Sequence, residues 1–84
     1  MIFKVVSCVK DKKGNYPVVD TVIEECEKVA HSNKSGVHHF SLEKKAGGID
    51  KIYEFDLTRK DIIYNIYLES DTGKTVETYR TAWK

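Results

Sequence analysis

Between Pro17 and His31 the apolar residues recur in pairs: Val18 and Val19, Val22 and Ile23, then Cys26, then Val29 and Ala30. On a helical wheel of about 100° per residue these seven fall within an arc of roughly 140°. Asp20, Thr21, Glu24, Glu25, Glu27, Lys28 and His31 fill the rest of the circle. The pattern predicts an amphipathic helix. Asn15 ahead of Tyr16 and Pro17 suits a cap with proline in the first turn. Thr21-Val22-Ile23-Glu24 also reads as a capping box, which would leave residues 17–20 extended. Both options make residues 22–31 helical. Ser32-Asn33-Lys34-Ser35-Gly36 then supplies residues that tolerate a left-handed backbone and end the element.

The rest of the chain reads as strands. Residues 2–9 form the first. Residues 37–45, 49–58, 61–70 and 75–83 form four more. They are separated by Ala46-Gly47-Gly48, a tight Arg59-Lys60 turn, and Asp71-Thr72-Gly73, which suits a type I turn with a bulge. The turns imply a register. Leu57 would face Ile62, Phe55 Tyr64 and Tyr53 Ile66, with Leu68 opposite Val76 and Ile62 opposite Ala82. Phe40 and Leu42 would lie beside Phe55 and Tyr53. All these residues then share one face, because side chains alternate with period two. The expectation is an α+β fold: one strand, one amphipathic helix, then a four-stranded antiparallel meander with the helix packed on one face (β-α-β-β-β-β). That order is similar to the layout of the cystatins and monellin. The cystatin Gln-Val-Val-Ala-Gly loop is absent, so no inhibitor function carries over. The alternative is an all-β meander or small barrel, suggested by turn-like clusters at 12–15, 32–36, 46–49, 58–61 and 71–74. It requires residues 18–30 to be extended, although they alternate poorly.

Length and composition narrow the class. Eighty-four residues, 40% hydrophobic and 32% charged, make one small folded domain with a modest core. The net charge is +1, and only Lys10, Lys12 and Lys13 cluster, with Asp11 among them. No basic block marks a phosphate-binding surface. Cys8 and Cys26 read as small buried hydrophobes in a reducing compartment. No secretion signal or membrane-spanning run is read, so a cytoplasmic location is expected. Twelve lysines against two arginines, with abundant Ile, Asn and Tyr, point to an AT-rich genome such as that of a low-GC bacterium or its phage.

Candidate chemistry is sparse. His39, Ser41 and Asp56 share the outer sheet face, with Asp56 opposite His39 in the expected register, and form a polar cluster. A Ser-His-Asp hydrolase reading lacks an oxyanion-hole loop and a strained nucleophile turn; a cross-strand His–Asp pair is the ordinary explanation. His38 and His39 are adjacent and point to opposite faces, and His31, Cys8 and Cys26 lack zinc spacing. No catalytic residue, metal or cofactor is assigned, and the chain is read as a non-enzyme. The outer face is more informative. One helix covers one face of a sheet, leaving Ile52, Ile63, Tyr67, Tyr79 and Trp83 exposed as a candidate protein-binding face. The expected partner is a protein, either a second copy or another chain, with no membrane. The alternative is weak binding of single-stranded nucleic acid, with Tyr67, Tyr79 and Trp83 stacking bases near Lys51, Arg80 and Lys84. The interleaved Glu54, Asp56, Glu69 and Glu77 weigh against it.

Overall fold

A computed structural model describes residues 1–44 and 48–81. It contains seven strands: β1 (Ile2–Val9), β2 (Val18–Glu25), β3 (Lys28–Lys34), β4 (Val37–Glu43), β5 (Lys51–Asp56), β6 (Ile62–Glu69) and β7 (Thr75–Arg80). They form two antiparallel sheets, a four-stranded one in the order β2-β1-β6-β7 and a three-stranded one in the order β3-β4-β5. The protein is all-β, and no helix occurs among the described residues. The α+β expectation is therefore overturned, and the cystatin-like layout falls with it.

The segment read as a helix is the pair β2 and β3. Two features explain the misreading. Five of the six residues from Val18 to Ile23 are β-branched, a composition that favours a pleated strand over a helix. The alternation that would have announced a strand is broken at Glu24. Glu24 lies opposite the fully buried Phe3 and therefore points inward. Its carboxylate meets Lys51 Nζ of β5 at 2.9 Å and Lys44 Nζ at 3.7 Å. Meanwhile Ile23 points outward and is 60% exposed. A charge inside and an isoleucine outside erase the period-two signal.

Cys26 and Glu27 carry the chain from one sheet to the other. The Cys26 amide donates to the Met1 carbonyl in the first sheet, and the Glu27 amide donates to the Glu43 carbonyl in the second. Such corners let a nearly continuous strand serve two sheets. The next turn is a two-residue hairpin. Ser35 and Gly36 both have positive φ, 55° and 87°, between the paired residues Lys34 and Val37, as a type I′ turn requires.

The core lies between the sheets. Phe3, Val5 and Ile66 from the larger sheet and Phe40 and Leu42 from the smaller are fully buried. Phe3 packs on Phe40 and Tyr53 with ring centroids 5.2 and 5.5 Å apart, and Phe55 packs on Tyr64 at 5.0 Å. The inward set Phe40, Leu42, Tyr53, Phe55, Tyr64, Ile66 and Leu68 matches the face expected from alternation. The expected pairings do not all hold. β5 and β6 lie in different sheets, so Leu57 does not face Ile62, nor Phe55 Tyr64 as a ladder partner. The Leu57 amide instead donates to the Gly36 carbonyl, and the Lys10 amide to the Asp61 carbonyl. The Arg59-Lys60 segment thus bridges the sheets. Between β6 and β7 the register is shifted by a bulge at Leu68/Glu69, so that Leu68 pairs with Glu77 and Ile66 with Tyr79. Val76 becomes the extra residue and is 59% exposed. The expected partner Ala82 lies outside the described residues.

Candidate protein-binding surface

The five residues expected on one exposed face are dispersed. Ile63 and Tyr67 lie on the outer face of the larger sheet, across from Cys8 and Lys4 of β1, and both are half-buried. Ile52 lies on the outer face of the smaller sheet, opposite Ser41, and is 66% exposed. Since the inner faces pack together, these two outer faces look in opposite directions. Tyr79 points inward. The bulge flips it, since a one-residue slip exchanges the faces of a strand. Its ring lies 4.3 Å from His31 and 5.4 Å from Phe40, and burial with a hydrogen bond to Glu77 pushes its phenol up to about 12. Tyr67 and Tyr79 consequently cannot form one base-stacking platform. Trp83 lies outside the described residues.

The polar cluster is also taken apart. His39 Nε2 meets Glu54 Oε2 at 3.0 Å, its ladder partner. Asp56 lies opposite Val37, not His39. Its carboxylate accepts from the Thr58 hydroxyl and amide, which hold it below its ordinary value. Ser41 faces Ile52. The three groups expected together each have a different neighbour. Cys8 and Cys26 are both free thiols, and burial pushes Cys26 up.

What the structure brings together instead is the β2 edge of the larger sheet. Val18, Val19 and Ile23 are 60%, 58% and 60% exposed. Ile23 continues across the outer face through Lys4 to Tyr67, and Thr21 through Val6 to Asn65. β2 ends its sheet, so half of its backbone groups have no ladder partner. Strand geometry identifies them. The Cys26 amide faces β1, so by alternation the amides of Thr21, Ile23 and Glu25 face away from it. Asp20 and Glu25 are exposed on the same strand; among the described residues neither takes part in an ion pair. The edge is therefore apolar, acidic and rich in unused hydrogen-bonding groups. In the sequence the signal was the run of β-branched residues, which the helical wheel absorbed.

No family model, curated protein or solved structure matches the chain.

Proposed function

We propose that the protein is a small protein-binding module that takes an extended segment of another chain onto the free edge of β2. An added strand would satisfy the outward backbone groups of Thr21, Ile23 and Glu25, and its side chains would fall beside Ile23 and Val19. The carboxylates of Asp20 and Glu25, on opposite faces of the strand, favour a partner that carries both apolar and basic side chains. The observation that carries this reading is an edge strand with three aliphatic side chains each more than half exposed. Natural edges are usually blunted by lysine, proline, inward-pointing charges, bulges or covering loops. β2 has no lysine or proline between Val18 and Glu25, and its inward Glu24 and the extra residue Val19 leave the stretch from Thr21 to Ile23 as the regular part of the edge.

The test is a titration of the full chain with a short peptide of alternating valine and lysine, followed by amide NMR. Binding should perturb Thr21, Ile23 and their neighbours and weaken with salt. Thr21→Pro removes an amide that the sheet does not use and should abolish binding while leaving the fold intact. Ile23→Lys adds a like charge and should weaken binding without touching the backbone. Light scattering on the protein alone separates a second copy as the occupant: a dimer lost in Thr21→Pro would assign the edge to self-association. Perturbations confined to another strand would overturn the proposal.

A further inference from the structure

The opposite margin of the larger sheet, β7, borders a cleft of about 410 Å³, within the range that takes small molecules. Leu57 and Tyr79 supply its apolar wall, and His38, Thr58, Thr78 and Arg80 its polar groups. None of the described residues bordering it is acidic, in a chain with thirteen acids. Two carboxylates touch the lining from outside it and keep their charge, Asp56 accepting from Thr58 and Glu77 from the Tyr79 hydroxyl at 2.6 Å. Among the described residues Arg80 has neither an ion pair nor a hydrogen-bond partner for its guanidinium.

Backbone geometry adds donors. The Thr81 amide donates to the Tyr64 carbonyl, so by alternation the amides of Thr78 and Arg80 face away from β6, toward the open side of β7. His38 adds another. Its Nδ1 lies 2.7 Å from His31 Nε2, and a single proton fits between two such nitrogens. When His31 donates it, the neutral His38 ring carries its own hydrogen on Nε2 and can donate to an anion; when His38 donates it, Nε2 only accepts.

We propose that this cleft binds a small oxyanion, carboxylate or phosphate, carried on an aromatic or other apolar group. The Arg80 amide and the His38 ring hold the anion, and the Arg80 guanidinium, whose side chain leaves β7 on the outer face opposite Asn65, folds over the strand edge to reach it. Leu57 and Tyr79 hold the apolar body. The site is separate from the β2 edge and does not depend on it.

Phenyl phosphate, benzoate, inorganic phosphate and phenol are the probes, each titrated into the full chain and followed by amide and imidazole NMR. Phenyl phosphate or benzoate should shift the resonances of His38, Leu57, Tyr79 and Arg80, and whichever binds tighter identifies the anion. Inorganic phosphate should bind more weakly and phenol not measurably. Arg80→Gln, at an exposed position, should weaken binding at least about tenfold, the ordinary worth of a charge-assisted hydrogen bond. Arg80→Lys should restore part of it. His38→Gln should weaken binding by a smaller factor. Absence of shifts with every anion, shifts located elsewhere, or binding unchanged in Arg80→Gln would overturn the assignment.

Discussion

Glu24 of β2 and Lys51 of β5 stand 2.9 Å apart across the gap between the two sheets. They join strands more than twenty residues apart in sequence, at the rim where the aromatic core gives way to solvent. Lys51 lies nearly half exposed while Glu24 keeps 13% of its side-chain surface, so the carboxylate is the more committed partner. The Lys51 ammonium beside it holds Glu24 below its ordinary value of 4.5. A depressed carboxylate contributes stability above its unfolded value, and that contribution is lost as the pH falls through the lower folded value. Denaturation midpoints measured from pH 7 downward should therefore drop below about 4.5, and the drop should be shallower in Glu24→Gln than in the wild type. Equal slopes would show that the pair is not formed in solution.

Tyr79 should behave as a core residue despite its position on an edge strand. Tyr79→Ala should cost about 2 kcal/mol in denaturant unfolding, through lost contacts with His31 and Phe40. Tyr79→Phe should cost much less. Its phenol is pushed up to about 12 from 10.0, so stability is full below 10 and falls as the pH rises from 10 toward 12. Ultraviolet titration should show one of the five tyrosines ionising after the others, and Tyr79→Phe should remove that late step.

The two imidazoles set a second window on the acid side. Burial, then the neighbouring His31, lowers His38 from its ordinary value of 6.5. The neutral ring is favoured in the fold, so stability is full above 6.5 and declines as the pH falls through the lower folded value. A second proton would also set two N–H groups against each other across the 2.7 Å contact. Imidazole NMR should show His38 titrating below 6.5 and its contact with His31 breaking in the same range. His38→Phe should flatten this part of the stability profile and leave the step near 4.5 in place.

Gly36 is required twice over. Its φ of 87° suits glycine, and a Cβ there would collide with Cγ2 of Thr58. Gly36→Ala should cost about 2 kcal/mol or more. Replacing Thr58 with Ser in that background should recover only the steric part. A neutral Gly36→Ala would mean that the hairpin and the loop after β5 do not meet.

The strands themselves were legible where one face is apolar and the other is not. β4 and β6 show this, with Phe40 and Leu42, and Ile66 and Leu68, separated by polar or half-exposed residues. Pairing was less legible. Arg59 and Lys60 look like a hairpin turn, yet Leu57 and Asp61 bond to different sheets, a distinction made by distant residues. The bulge beside Glu69 adds one residue, Val76, and no residue type marks it; this alone sent Tyr79 to the wrong side. β2 was lost because its inward position is Glu24, whose partner Lys51 is invisible to any local window. The exposed edge followed from that loss, since a helix has no edge to expose.

The two sheets draw on the chain differently. The smaller is built from consecutive segments, β3 to β5, each pairing with its neighbour. The larger sets β1 between β2 and β6, so its middle is completed only by a strand near the other end of the sequence. During synthesis the first hairpin and the central meander can assemble early, but Phe3 and Val5 lack their partners Leu68 and Ile66 until β6 has been made. The slow step in folding should be this late closure, and a ribosome stalled before residue 62 should carry a chain whose first strand is still open on one side.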